Sequence, residues 1–213
     1  MSKKQRIPAS TVNRLSLYLR VFSQAELAGH RTVSSRELAD FSGINSAQVR
    51  KDLAYFGQFG RRGVGYDVAS LQDEIRGILG LDHEWNCCII GVGHLGMALL
   101  MYKGLRSYGF NVVAAFDADP DKISWELEGV PVHDIADLAK VARDRKLEIA
   151  VIAVPAAAAQ EVAAQVVAAR IPALLNFAPV QLRSGATTIV RQVDLAGELE
   201  ALTYQLRKSR GPA

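Results

Sequence analysis

The sequence predicts an α/β protein of two domains, a small helical one followed by a parallel sheet covered by helices. Three observations predict it. Charge is divided: residues 1–66 carry 11 Lys and Arg against 4 Asp and Glu, and residues 67–213 carry 14 against 18, within a net charge of +3. Apolar residues recur at helical spacing as far as Leu79, and beyond Trp85 short apolar runs of strand length alternate with helical stretches. Immediately after the first such run stands Gly91-Val92-Gly93-His94-Leu95-Gly96, three glycines where a strand turns into a helix. With 213 residues, 49% hydrophobic and 22% charged, the chain can build two cores and is not a disordered or fibrous one.

From Pro8 to Ala28, Val12, Leu15, Leu17, Leu19, Val21 and Phe22 mark a first helix closed by Gly29. Ser34 and Glu37 have capping-box spacing and open a second, through Leu38, Ala39 and Phe41 to Gly43. Asn45 and Gln48 repeat that spacing and introduce a third, Ala47 to Phe56, with Val49, Leu53 and Phe56 on its inner face. Only Ser42-Gly43-Ile44-Asn45 separates the two, a turn of the helix-turn-helix kind. The glycine-rich segment Gly57–Tyr66 reads as a short hairpin, or wing, and Val68 to Leu79 as a fourth helix ended by Gly80. Strands are expected at Asn86–Ile90, Asn111–Phe116, Val130–Val132, Glu148–Val154, Ala173–Asn176 and Thr187–Val193. Helices are expected at Leu95–Ser107, Ile135–Arg143, Ala156–Ala169 and Leu195–Lys208. The domain boundaries that follow are 1–80, 81–193 and a terminal helix in 194–213.

Gly91–Gly96 fits the dinucleotide fingerprint in its required context. The first glycine permits the tight turn, the second lets a pyrophosphate approach the backbone, and the third lets helix and strand pack closely. Asp117 ends the second strand 21 residues after Gly96, where a carboxylate can accept from an adenosine ribose and repel a 2′-phosphate, which favours NAD over NADP. A tight turn without ligand competes with this reading, and so does coenzyme A. The acidic run Asp117-Ala118-Asp119-Pro120-Asp121 disfavours the extra phosphate of the latter. Arg50 and Lys51 on the third helix suit entry into a major groove, and Arg61-Arg62 in the flanking glycine hairpin suit a minor groove or phosphates. The competing reading is a solvated face on a protein-contact module. Cys87 and Cys88, the only cysteines, build neither a disulfide framework nor a four-ligand zinc site and read as core residues. No metal is expected. The N-terminus lacks a leader pattern and no run of eighteen apolar residues occurs, so the expectation is a cytoplasmic protein without a membrane partner.

Several segments together resemble the Rex family of redox-sensing transcriptional repressors: Gln48–Gly57, Gly60–Tyr66, the turn Gly91–Gly96, Phe116-Asp117 and Asn176–Pro179. The resemblance runs from about Pro8 to Leu206. It implies a winged helix-turn-helix domain, a Rossmann-type NAD(H) domain and a C-terminal dimerisation helix exchanged between the subunits of a homodimer. It implies repression by binding double-stranded operator DNA, relieved when NADH replaces NAD. Carried over by position, Ser46, Gln48, Arg50, Lys51, Tyr55, Arg61, Arg62 and Gly63 contact DNA. Gly91, Val92, Gly93, His94, Leu95, Gly96, Asp117, Val154, Pro155, Asn176, Phe177, Ala178 and Pro179 line the NAD or NADH site. Tyr102 and Asp194 respond to the ring, with Arg20 on the first helix the expected charged partner of Asp194.

The rival is an NAD-dependent dehydrogenase with an accessory N-terminal domain. Residues 86–193 are spent on the sheet, 20 follow, and His30, His83, His94 and His133 lack a second acid-base group at a recognisable spacing. No catalytic residue is therefore assigned.

Overall fold

The computed structural model describes residues 7–56, 60–61, 65–183, 185 and 187–210. Its contacts divide the chain into two compact units between His83 and Glu84. In the first, α1 (Ala9–Leu27), α2 (Ser35–Ser42), α3 (Ser46–Leu53) and α4 (Val68–Leu79) enclose one core. A three-stranded antiparallel sheet of β1 (Thr32–Val33), β2 (Gly60–Arg61) and β3 (Gly65–Asp67) completes it, with β3 in the middle.

Local chemistry sets the helix ends. The Ser34 hydroxyl accepts from the Glu37 amide at 3.1 Å while the Glu37 carboxylate accepts from the Ser34 amide at 2.7 Å, the expected capping box. Gly43 and Gly80 end α2 and α4 in the left-handed conformation. Along α1 the fully buried face is Leu15, Tyr18 and Phe22, with Leu19 beside it, at spacings of three and four. Leu17, expected on that face, is 38% exposed because it stands two residues from Leu15 and Leu19 and so falls off the stripe. Phe41 is likewise exposed, and the Phe56 side chain lies outside the described residues.

The second unit contains β4 (Trp85–Ile90), α5 (His94–Met101), α6 (Gly104–Ser107), β5 (Phe110–Asp117), β6 (Glu126–Leu127) and β7 (Val130–Asp134). It continues through α7 (Leu138–Asp144), β8 (Ile149–Ile152), α8 (Ala156–Ala168), β9 (Ala173–Asn176), β10 (Ile189–Gln192) and α9 (Leu195–Ser209). The sheet order is β10-β9-β8-β4-β5-β7-β6, parallel except for β6. Leaving β6 aside and counting strands along the chain, this is 3-2-1-4-5-6, the doubly wound order whose direction reverses beside β4. Ile90 and Cys88 belong to the core under α7 and α8, whereas Ile89 belongs to the opposite core with Leu100 of α5, as strand alternation requires. Both thiols are free and buried.

Three local features depart from the sequence reading. The strands β1 and β6 are two residues long, too short for a period to register. The β6–β7 connection is a two-residue turn in which both Glu128 and Gly129 have positive φ, 52° and 79°, and an Asn-Gly in its place would have announced the hairpin. The single helix expected over Leu95–Ser107 breaks at Tyr102, whose backbone is extended; its ring lies over Gly104, with ring atoms 2.5–2.8 Å from where a Cβ of residue 104 would be.

Candidate functional site

In the first unit α3 presents Arg50 and Lys51 to solvent, with Ser46, Gln48 and Tyr55 half-buried. Asn45 caps the helix by accepting from the Gln48 amide at 2.8 Å. The reciprocal capping bond is replaced: the Gln48 side-chain amide donates to Asp52 Oδ1 at 2.8 Å, one turn on. Gln48 therefore spends a donor inside the protein that was expected on DNA. Arg50 donates to the Ser35 hydroxyl at 3.2 Å, which ties the start of α2 to α3. Arg61 sits in β2 with its side chain outside the described residues, as are Arg62 and Gly63 entirely.

Asp52 is the feature that sequence reasoning missed. It is fully buried and gathers four partners. Arg14 of α1 donates to it twice, through Nε at 2.6 Å and Nη2 at 2.8 Å; Tyr18 donates from its hydroxyl at 2.9 Å and Thr11 at 3.3 Å. Burial pushes the carboxyl up, but the bonds from Arg14, Gln48 and Tyr18 outweigh it and hold Asp52 below the ordinary carboxylate range. The same burial and the neighbouring carboxylate raise the Tyr18 phenol. This network joins α1 to α3 across 34 to 41 residues of sequence.

In the second unit the glycine turn meets β4 and β8 where the strand order reverses. Gly91 has φ of 98°, and a Cβ there would lie 2.7 Å from the Ala153 carbonyl oxygen. A Cβ on Gly96 would lie 1.8 Å from the Gly91 carbonyl oxygen. At Gly93 nothing stands within 4 Å, so the open side of the turn is there. Gly93, His94 and Leu95 are exposed at the start of α5, whose first amides have no partner within the helix. Val92 is buried; its amide donates to Asp117 Oδ2 at 2.7 Å.

Asp117 accepts further from the Asp119 amide at 2.9 Å and from Lys122 Nζ at 3.3 Å. Burial raises its pKa, and these bonds with the nearby ammonium outweigh that and lower it. A carboxylate has about four acceptor positions, so one remains for a ribose hydroxyl. Lys122, which also pairs with Asp119 at 3.4 Å, is the second residue missed; it stands five residues beyond Asp117 in an otherwise acidic run.

Val154 and Pro155 follow β8, the one half-buried and the other exposed at the start of α8. The loop after β9 has Phe177 half-buried, Ala178 buried and Pro179 exposed, and the Phe177 amide donates to the Ile152 carbonyl at the end of β8 at 2.9 Å. Asn176 departs from expectation. It is fully buried and its side chain is spent on this loop and on Gln192, so it shapes the site without facing it. Tyr102 is 55% exposed, Asp194 caps α9 by accepting from the Gly197 amide at 2.9 Å, and Arg20 is exposed on α1. Along α9, Leu195, Leu199, Leu202 and Leu206 form one apolar stripe, each more than half exposed. Among the described residues no helix is long and apolar enough to cross a membrane and no three side chains gather as a metal site.

Residues 82–180 match the family model "CoA binding domain" and residues 6–54 match "Putative DNA-binding protein N-terminus". A protein of Desulfitobacterium hafniense named redox-sensing transcriptional repressor Rex is 45% identical over 98% of this chain and 99% of its own. One of the same name from Streptomyces coelicolor is 44% identical over 99% of this chain and 81% of its own. Among solved structures, RSP in complex with β-NAD+ and operator DNA has a TM-score of 0.89 at 32% identity, covering 97% of this chain and 95% of that one. RSP with β-NADH has a TM-score of 0.87 at 30% identity, covering 97% of each chain. RSP is itself described as a Rex-family repressor.

Proposed function

Because the chain belongs to the Rex family of redox-sensing transcriptional repressors, we propose that it binds duplex operator DNA as a homodimer, holds NAD or NADH at the Gly91–Gly96 turn, and leaves the DNA when NADH replaces NAD. One observation carries the reading. The same chain joins a capped helix-turn-helix exposing Arg50 and Lys51 to a doubly wound sheet whose glycine turn is open at Gly93 and flanked by a ribose-type carboxylate, Asp117. The competing ligand, coenzyme A, would set its extra phosphate against Asp117, Asp119 and Asp121, so the nicotinamide dinucleotide is the better fit. The stripe on α9 is the surface a second copy covers. An operator-binding role places the protein beside the chromosome, in the cytoplasm, and as a regulator and not an enzyme.

Ser46, Arg50, Lys51 and Tyr55 carry the DNA contact, with Arg61, Arg62 and Gly63 of the hairpin beside them; Gln48 acts chiefly through Asp52. For the signal, a ligand shifts an equilibrium only through differential affinity for its states. NAD and NADH differ at the nicotinamide, cationic in one and neutral in the other. In the DNA-competent state Asp194 pairs with the partner subunit's Arg20, and with NADH bound it turns to the Tyr102 hydroxyl. Fluorescence anisotropy on a palindromic A·T-rich duplex, titrated with NAD and then NADH, tests the reading. NADH is expected to weaken DNA binding by roughly 5- to 150-fold, and Asp194→Ala to lose most of that difference while still binding NADH. Equal DNA affinity with either cofactor overturns the function; a full response in Asp194→Ala overturns only the relay.

Cofactor choice rests on Asp117. Asp117→Ala removes a charged acceptor, and NADH affinity is expected to fall by about 10- to 100-fold. The gap to NADPH should narrow further than charge removal alone would give, because Lys122 then keeps only Asp119 as a partner and is freer to meet a 2′-phosphate. Calorimetry on both cofactors, in Asp117→Ala and in Asp117→Ala with Lys122→Ala, separates the two contributions. Equal NADH and NADPH affinity in the unaltered protein would take Asp117 out of the site.

A further inference from the structure

The two ends of the sheet's last parallel pair are fastened to each other by side chains. Asn176 and Gln192 are register partners at the carboxyl ends of β9 and β10. Asn176 Nδ2 donates to Gln192 Oε1 at 2.7 Å, to the Val180 carbonyl at 2.9 Å and to the Ala178 carbonyl at 3.1 Å, while Asn176 Oδ1 accepts from the Ala178 amide at 2.9 Å. Gln192 Nε2 returns to the Ala178 carbonyl at 2.8 Å. The Val193 amide donates to the Asn176 carbonyl at 2.8 Å, and the next residue, Asp194, caps α9. The loop Phe177–Val180, which follows β9 at the carboxyl edge of the sheet where the redox-repressor reading sets the nicotinamide, is thus bolted through two amides to the segment that begins α9.

Such a fastening transmits displacement. Both hydrogens and the oxygen of the Asn176 amide are used, and Asn176 is fully buried, so leaving one of these groups open costs its whole desolvation. When the loop shifts, the Ala178 carbonyl and Asn176 shift together, and Gln192, bonded to both, follows. Only Val193 lies between Gln192 and Asp194, so the carboxylate at the start of α9 follows as well.

We propose that Gln192, held by Asn176, is a positioning residue for the redox response: it couples the loop beside the nicotinamide to the α9 cap. The proposal rests on the redox-repressor reading above. A strut that only stabilises the fold would change stability and all affinities together. A coupling residue changes the ratio of DNA affinities with NAD and NADH while leaving each cofactor's binding nearly intact.

The experiment uses the full-length homodimer, with Gln192→Leu, which keeps the side chain's bulk and removes both polar functions. Operator affinity is measured by anisotropy with saturating NAD and with saturating NADH, and NADH affinity by quenching of protein fluorescence. In Gln192→Leu, NADH affinity and operator affinity with NAD should stay within about threefold of the parent, while the NADH-induced loss of DNA affinity shrinks by about fivefold or more. Gln192→Glu keeps the bond to Asn176 but sets an acceptor against the Ala178 carbonyl, and it should lose the response similarly; it decides the matter if Gln192→Leu does not fold. An unchanged response in a folded variant, or an equal loss in all three affinities, overturns the proposal. A parent with no NADH response overturns the underlying reading instead.

Discussion

Replacing Asp52 by alanine is expected to destabilise the N-terminal unit by about 3–5 kcal/mol, the usual cost of removing one partner from a buried ion pair. The reason is what remains behind. Arg14, Tyr18, Thr11 and Gln48 all aim donors at the vacated point, and the Tyr18 side chain has no exposure to water through which to recover. The Arg14 side chain is 23% exposed, so part of its charge stays solvated, which places the loss toward the lower end of that range. Urea unfolding of the full chain measures it, and hydrogen exchange at α3 amides localises it. A loss below about 1 kcal/mol would show that the network adds little beyond a surface pair. Acid gives a second readout. Because the folded carboxyl lies below its ordinary value, its contribution is complete at neutral pH and disappears as pH falls through the folded pKa. The parent should therefore lose stability below about pH 4 more steeply than Asp52→Asn does.

Gly96→Ala should be the most damaging change in the second unit. The new methyl would lie 1.8 Å from the Gly91 carbonyl oxygen, and Gly91 cannot retreat. Its own flank is closed by the Ala153 carbonyl and Val154, and its amide is bonded to the Phe116 carbonyl at 2.8 Å. Helix α5 must move instead, at a cost of about 1–3 kcal/mol or more, and the amides at its start move with it. NADH affinity is expected to drop by about 100-fold or more, since phosphate binding depends on where those amides point. Gly93→Ala is the informative contrast. Its methyl meets nothing within the protein, so the melting temperature should hold while NADH binding is lost to the group now standing in the open face. Calorimetric melting and NADH titration of the two variants read both effects. A Gly93→Ala protein that binds NADH like the parent would move the pyrophosphate elsewhere, and an unshifted melting temperature in Gly96→Ala would show that the turn yields.

Wherever neighbouring residues decide the structure, the chain could be read directly. Ser34 with Glu37, Asn45, Gly43 and Gly80 set helix ends through bonds that span three or four residues, and the glycine turn is dictated by backbone space. What the residue order conceals is which distant polar groups meet. Nothing in the order of residues singles out Arg14, and only the folded chain, which brings it to Asp52 across 38 residues, reveals that the two belong together. Gln48 looked outward by position and turns inward because that carboxylate is within reach. Asn176 sits in the right loop for ligand contact, but its partner Gln192 arrives from a strand whose neighbour in the sheet could not be known from spacing. Tyr102 interrupts a helix that propensity would continue, since its ring takes the space that only a glycine at 104 leaves free.

The buried pair of cysteines limits the kind of stress this protein can notice. A thiol is attacked by peroxide or modified by electrophiles as its thiolate. Burial, helped by the Glu148 carboxylate, pushes Cys87 up to about 12, and burial pushes Cys88 up as well, so thiolate is scarce at any physiological pH. There is no third cysteine to take their place. An oxidant therefore meets little thiolate at these two positions, and under the proposed reading the signal to the operator is left to the balance of hydride carriers, a measure of metabolic supply.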